Sequence, residues 1–336
     1  MTGAPPVVRP ELAGVLERAL TSCLGRPCRI ITLRGRPYVY STSFRLEELE
    51  VGLDDGTRLD LILKDLGRAG MLPGARRSKP AFLYDPLREI EAYADILPLE
   101  ALGTARCYGT LDDGGPGLLL EKVPGRELYQ VGEREVWDDV ARWLAGMHDA
   151  FTDHAGELQE TRTHLIRFDA AYYRRWLGRA RTALGDGDAA EDQRSALSRV
   201  GAGLDGALER LASMPVTFVH GELYASNVLV EGVAGGRVCA VDWEMAGVGP
   251  GLLDVAALCS GWDEGTRRAL ALTYRGALRP RPEWPPGDEE FLVLLDSCSL
   301  CVAVQWLGWS PGWSPPPDHA RDWLGQAVQL AEQLGP

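Results

Sequence analysis

The sequence predicts an α+β protein of two lobes, a small β-rich N-terminal lobe and a larger helical C-terminal lobe. Three features carry that expectation. Residues 29–65 and 118–123 are rich in β-formers, with period-two alternation clearest at 49–63. Apolar residues at helical spacing dominate from about residue 126 onward. A compact β island at 217–244 interrupts those helices, and polar residues crowd its turns. The lobes divide as residues 1–123 and 124–336, and a functional site is expected in the cleft between them.

A first helix is expected over 10–24, with Leu12, Val15, Leu16 and Leu20 on one face. In the segment LEVGLDDGTRLDLILKD, Leu49, Val51 and Leu53 alternate, Asp54-Asp55-Gly56 turns the chain, and Leu59, Leu61 and Leu63 alternate again. Residues 66–85 read as a loop, in which Arg76, Arg77 and Lys79 are a solvated basic cluster. A helix follows over 86–97, with Leu87, Ile90, Tyr93, Ala94 and Leu97 on one face and Pro98 as its stop. Residues 118–125 read as an apolar strand ending in Pro-Gly. In the second lobe, Val136, Val140, Trp143, Leu144, Met147 and Phe151 mark a strongly amphipathic helix. Further helices are expected over about 168–185 and 190–213, with 185–192 as the most linker-like stretch.

Composition narrows the function classes. The 336 residues carry a net charge of -13, which repels nucleic acid and anionic lipid, so neither is an expected partner. The N-terminal stretch lacks a basic region followed by an apolar one, and no apolar run is read as long enough to span a membrane. A cytoplasmic location is the expectation. The seven cysteines are odd in number and scattered, which argues against a disulfide framework. Cys298 and Cys301 read as buried helix residues. Only Lys64, Lys79 and Lys122 are lysines in a chain rich in arginine. The five histidines form no HxH or HExxH cluster, so metal hydrolysis has no support.

The densest chemical signal runs from His220 to Asn227 (HGELYASN), with Asp242-Trp243-Glu244 fifteen residues beyond. Two carboxylates and an amide beside β-strands supply hard oxygen ligands of the kind Mg2+ takes together with substrate phosphates. A loop carboxylate, Glu222, followed five residues later by Asn227 has the spacing that phosphoryl transfer uses to orient a nucleophile and hold a metal. Upstream, Lys64 lies in an apolar strand on the face of Ile62, from which a lysine can reach triphosphate oxygens. Glu89 and Glu91 lie about equally far from the apolar stripe of the next helix, so helical period alone does not choose its partner.

HGELYASNVLV followed by VDWEMAGVGPGLLDVA resembles the HGDxxxxN, DxE and GPxxxD run of the aminoglycoside phosphotransferase and choline kinase family. The resemblance is dense over 220–256 and extends over 29–150. It implies a two-lobed protein-kinase-like fold and a kinase that transfers the γ-phosphoryl group of ATP or GTP, with Mg2+, to a small-molecule hydroxyl. It implies Glu222 as catalytic base, Asn227 and Asp242 as catalytic metal ligands, and His220 and Asp254 as supports of the loop. Read from the residues alone, Asp254 could equally be a helix cap. Lys64 resembles the third-strand lysine of kinases, and the pattern around Arg88-Glu89 favours Glu89 as its partner. The phosphate loop is expected near Ser41, Thr42 and Ser43, without a glycine triad, and the backbone of the connector, including Glu121 and Val123, faces the nucleobase.

The family pattern has Asp where this chain has Glu222. A displacement of about 1 Å can lower a rate on the order of a hundredfold, so a slower but active enzyme is the expectation. The alternative is a catalytically silent kinase-like protein that binds nucleotide or metabolite. A protein-phosphorylating kinase ranks below both, because HRD, DFG and APE segments are missing. For the acceptor, the residues singled out are Glu244, Asp263, Trp306 and Trp309, as carboxylates for an amine and rings for stacking. Acidic charge is compatible with an aminoglycoside-like or amino-alcohol acceptor, and equally with a neutral sugar, macrolide or other natural product.

Overall fold

The computed structural model describes residues 10–39, 43–112, 115–184, 188–232, 234–309 and 321–335. The chain forms two compact units, one of residues 1–77 and 84–124, the other of residues 78–83 and 125–336. The short stretch Ser78–Leu83 therefore packs with the second unit, although it lies in sequence inside the first.

In the first unit, helix α1 (Pro10–Leu24) is followed by β1 (Ile30–Pro37), β2 (Arg45–Leu53) and β3 (Arg58–Asp65). Helices α2 (Pro73–Ser78) and α3 (Pro86–Glu91) precede β4 (Cys107–Leu111) and β5 (Gly117–Glu121). The five strands form one antiparallel sheet in the order β1-β2-β3-β5-β4. Its register pairs Leu49 with Leu61, and these join Leu16 and Leu20 of α1, Leu33, Val51, Leu53 and Leu119 in one buried cluster. Alternation then forces Glu48, Ile62 and Lys64 onto the opposite face of the sheet.

Two expectations in this unit need correction. Residues 66–85 are not simply a loop, since Pro73–Ser78 is helical. The helix after Asp85 buries only part of the expected stripe: Tyr93 and Leu97 are buried, but Leu87 is 44% exposed and Ala94 is exposed, and Arg88, Glu89, Ala92 and Ile96 are buried instead. Glu89, Ala92, Tyr93, Ile96 and Leu97 keep helical spacing, so the buried stripe is turned toward Glu89 and Ala92, and the helix then runs through a π turn at Ala92–Ile96 into a 3-10 turn at Leu97–Leu99.

The second unit comprises β6 (Arg126–Glu127), α4 (Arg134–Thr152), α5 (Ala155–Thr161), β7 (Ile166–Arg167), α6 (Ala170–Thr182) and α7 (Asp188–Ser213). It continues with β8 (Val216–Val219), β9 (Val228–Val230), β10 (Val238–Ala240), β11 (Gly247–Pro250), α8 (Leu252–Leu258), α9 (Glu264–Ala277), α10 (Asp288–Trp309) and α11 (Trp323–Leu334). The linker expected at 185–192 is thus helical from Asp188. Two three-stranded sheets, β10-β9-β6 and β7-β11-β8, lie among the helices.

Helix α10 corrects the reading of apolar runs. Over its 22 residues it is long and apolar enough to cross a membrane, yet 72% of its apolar window is buried within the protein. It packs against α6, α7, α8 and α11, so apolar side chains are needed all round it. Cys298 and Cys301 are buried here, and every cysteine among the described residues is free.

Across the open face of the first sheet, Glu48 receives two hydrogen bonds from Arg36, at 2.8 and 2.9 Å, and an ion pair from Lys122. Arg36 and Lys122 hold its carboxyl down at about 2. A carboxylate lowered in this way contributes stability above its unfolded value and loses it as pH falls through the folded value. Glu48→Gln should therefore melt about 2 °C below the parent at pH 7, a small figure because Arg36 is largely exposed. Melting curves should show the gap closing as pH falls from 4.5 toward 2.

Candidate functional site

The candidate site is built on two adjacent strand ends. β9 and β10 pair antiparallel, Val228 opposite Ala240, so the residue before β9 and the residues after β10 meet at one end of the hairpin. The Val241 N–H donates to Asn227 O at 2.9 Å, which joins the loop carrying Glu222 and Asn227 to the turn carrying Asp242 and Glu244. Asp242 has φ 66°, in the left-handed region, one of two such non-glycine residues among those described. That conformation costs about 1–2 kcal/mol and persists where surrounding structure fixes it.

The loop is held from below by one carboxylate. Asp254, within α8 and fully buried, accepts from the His220 N–H at 2.7 Å and the Gly221 N–H at 2.8 Å. Its second support is His148, whose Nε2 lies 3.2 Å from Asp254 Oδ2 and whose Nδ1 meets the Tyr274 hydroxyl at 2.8 Å. Asp254 is therefore not an N-terminal cap; Gly251 occupies that position. Gly251 has to be small, because a Cβ there would lie 2.5 Å from His148 Nδ1.

His220 clamps the loop from the side. The Glu222 N–H donates to its Nδ1 at 3.3 Å, and its Nε2 lies 2.9 Å from Val241 O. Those partners require a neutral ring protonated on Nε2. The ring leans on Trp243, which stacks on Phe218 with an interplanar angle of 6°. Gly221 adopts φ 82°, and a Cβ there would stand 2.4 Å from Met245 O.

Asn227 donates its amide nitrogen to Glu222 O at 2.9 Å. Its side-chain oxygen has no partner among the described residues. Glu222 is half-buried, and burial raises its carboxyl to about 7, with Asp242 adding to the rise and Lys79 opposing it. The donor set fits a hard cation: an amide oxygen with its nitrogen committed elsewhere, and a carboxylate in the next turn. No group of three or more His, Cys, Asp or Glu side chains forms a cage among the described residues, so such an ion would need the remaining ligands from phosphate oxygens and water.

In the first unit, Lys64 pairs with Glu89 through both carboxylate oxygens, at 2.8 and 2.7 Å, and both side chains are buried. Glu91 lies in the same helix, and the choice between the two falls on Glu89. Beyond β5 the Glu121 and Lys122 N–H groups donate to Arg106 O and Asp60 O, while the Val123 N–H has no partner among the described residues. Ser43 O accepts from the Leu72 N–H. Ser41 and Thr42 lie outside the described residues.

The four acceptor candidates separate. Asp263 caps α9, accepting from the Thr266 N–H at 3.0 Å and its hydroxyl at 2.7 Å. Trp306 donates from Nε1 to the Tyr224 hydroxyl at 2.5 Å, which ties it to the loop of Glu222. Trp309 stacks on Trp176 at 5.6 Å. Glu244 forms an ion pair with Lys79. That pair corrects the reading of the basic cluster: Arg76 and Arg77 are exposed, but the Lys79 side chain is only 3% exposed. Sequence reasoning also passed over His148 and Tyr274. The signal for His148 was a histidine inside the apolar stripe of α4, beside Leu144 and Phe151.

Comparison with known proteins gives the family and the fold. The model of the phosphotransferase enzyme family (APH) matches residues 53–289, and the chain belongs to that family of small-molecule phosphotransferases. No curated protein sequence matches the chain. Among solved structures, an ethanolamine kinase from Plasmodium vivax is similar at 15% identity and a TM-score of 0.56, over 90% of this chain and 82% of that one. A microcompartment-associated aminopropanol kinase is similar at 18% identity and 0.56, over 89% of each chain. An aminoglycoside 2'-phosphotransferase is similar at 14% identity and 0.57, over 90% and 92%. The fold is the protein-kinase-like one of this group.

Asp254 and Asp263 give a direct comparison of two carboxylates. Asp254→Ala would leave two buried N–H groups and His148 without their acceptor and should cost about 3 kcal/mol of stability. Asp263→Ala removes an exposed cap and should cost clearly less. Denaturant unfolding of both variants checks that order.

Proposed function

We propose that the protein is a kinase that transfers the γ-phosphoryl group of ATP or GTP to a hydroxyl of a small acceptor. The acceptor classes consistent with the family are aminoglycoside-like compounds, amino-alcohols and other natural products. The observation that carries this reading is the β9–β10 hairpin end, where Glu222, Asn227 and Asp242 are gathered on a loop held by Asp254.

In this reading Glu222 accepts the proton of the acceptor hydroxyl. A carboxyl raised to about 7 suits a group that must take a proton near neutral pH. The acceptor oxygen bonds to the γ-phosphorus as the bond to the β–γ bridging oxygen breaks, and the nucleoside diphosphate leaves. Asn227 and Asp242 would hold Mg2+, whose charge offsets that of the phosphates. Lys64, steadied by Glu89, supplies positive charge to the triphosphate. The backbone at Glu121 and Val123 offers hydrogen bonds to the nucleobase, and the stretch at Ser41, Thr42 and Ser43 offers N–H and hydroxyl groups to the phosphates. The additional methylene of Glu222 moves its carboxylate toward the acceptor, so the acceptor oxygen must sit correspondingly farther from the loop backbone.

Purified protein should turn over ATP or GTP only with Mg2+ present and faster with a hydroxyl acceptor added. Glu222→Gln should lower turnover about 10²–10³-fold while nucleotide binding persists. Asp242→Asn should abolish Mg2+-dependent turnover, and Lys64→Met should raise the nucleotide KM. Steady-state kinetics and calorimetric titration with a nonhydrolysable triphosphate check these outcomes. Tight Mg-nucleotide binding without turnover, for any acceptor and unaltered in Glu222→Gln, would favour a silent nucleotide-binding role.

A further inference from the structure

The residues around Glu222 would at first sight suit a cationic acceptor, since Glu222, Asp242 and Glu244 stand in neighbouring turns. The chain, however, already supplies its own cation. Lys79 pairs with Glu244, and the two side chains are 3% and 10% exposed. Glu244 lies two residues beyond Asp242, in the turn that the Val241–Asn227 hydrogen bond joins to the loop of Glu222. The stretch that carries it is anchored in the second unit: Ser78 and Leu83 are buried, and the Phe82 ring sets its edge against Trp176 at 5.2 Å.

An aromatic surface lies beside the loop. From Tyr224, two residues beyond Glu222, the hydrogen bond to Trp306 leads into a run of rings. Trp306 stacks on Trp323 at 5.5 Å with an interplanar angle of 11°, and meets Trp309 at 6.1 Å. Trp309 stacks on Trp176, which carries Phe82. Trp306, Trp309 and Trp323 are partly exposed. Such faces attract cations, and at Trp323, as at the neighbouring Phe82 and Trp176 rings, one of the chain's own guanidinium groups lies over the ring. Arg175 lies 4.5 Å from the Phe82 centroid, Arg179 5.8 Å from that of Trp176, and Arg321 5.5 Å from that of Trp323.

We propose that Lys79 is a specificity-determining residue that excludes acceptors with an ammonium group close to the reacting hydroxyl, and that the acceptor is an uncharged, ring-bearing alcohol whose body lies on the Trp306–Trp309–Trp323 surface. The proposal rests on the kinase reading above and narrows its acceptor. An ammonium group brought to Glu222 meets the positive charge of Lys79, whereas a neutral hydroxyl does not. A ring body gains stacking contact on the partly exposed faces of Trp306, Trp309 and Trp323.

Choline and its uncharged carbon isostere, 3,3-dimethylbutan-1-ol, serve as probes, titrated by calorimetry into the full-length protein with Mg2+ and a nonhydrolysable ATP analogue present. Titration of the Mg-nucleotide itself comes first. Its failure to bind would count against the kinase reading, and the probe titration without nucleotide would still test Lys79. Choline should bind Lys79→Met at least about 10-fold more tightly than the parent. The gain should vanish in the Lys79→Met/Glu244→Gln double variant. If Lys79→Met does not fold, the parent alone decides: the proposal requires it to bind the uncharged isostere more tightly than choline. Equal choline binding by parent and Lys79→Met, persistence of the gain in the double variant, or a parent that prefers choline would each overturn the proposal.

Discussion

The carboxylate of Asp254 is the point on which the catalytic-loop geometry depends. It is fully buried, and three donors converge on it: the N–H groups of His220 and Gly221 and the ring of His148. A buried carboxylate with that many partners is stable only in one arrangement, so its ligands become rigid with it. The two loop residues it grips immediately precede Glu222. The hydrogen bonds from Glu222 to His220, from Asn227 to Glu222 O and from Val241 to Asn227 O then pass that rigidity to the turn of Asp242. The backbone that carries Glu222, Asn227 and Asp242 is thereby fixed, and the Asn227 side chain is bonded to it.

Glycine makes the close approaches tolerable. Gly221 has to take a positive φ and let Met245 O come near, and Gly251 has to leave room for His148. The sequence GVGPGLLD is thus a packing requirement of α8 and β11 before it is a recognition signature. The first unit is arranged on the same principle at lower cost. Lys64 is presented on the sheet face away from the α1 core, and a buried Glu89 holds it in place.

The fold was legible because strand and helix periods differ clearly on either side of residue 125 and because the loop motif is dense. Glu222, Asn227 and Asp242 could be linked from order and spacing, since a β-hairpin brings residues just before one strand and just after the next to the same end. What escaped were effects of packing. The buried face of the helix after Asp85 is centred on Glu89, Ala92, Tyr93 and Ile96, because a charged residue held in an ion pair takes a core position that hydrophobicity assigns to Leu87. Lys79 read as solvated because its arginine neighbours are, yet it is buried in an ion pair. The hint lay in composition: each of the three lysines pairs with a glutamate, Lys64 with Glu89, Lys79 with Glu244 and Lys122 with Glu48. Arginine could not substitute freely in the two buried pairs, because its planar fork needs more room than an ammonium. The acceptor side was least legible, since ring contacts between residues 82, 176, 224, 306, 309 and 323 join segments far apart in sequence.

The central claim is that Asn227 and Asp242 hold a divalent ion jointly with nucleotide phosphates. Electron paramagnetic resonance of Mn2+, titrated into the protein with and without a nonhydrolysable triphosphate, tests it most directly. The account predicts weak Mn2+ binding by the protein alone, strong immobilisation of the ion when the nucleotide is added, and loss of that immobilisation in the Asn227→Ala variant. Mn2+ held equally well without nucleotide, or unaltered by Asn227→Ala, would contradict it.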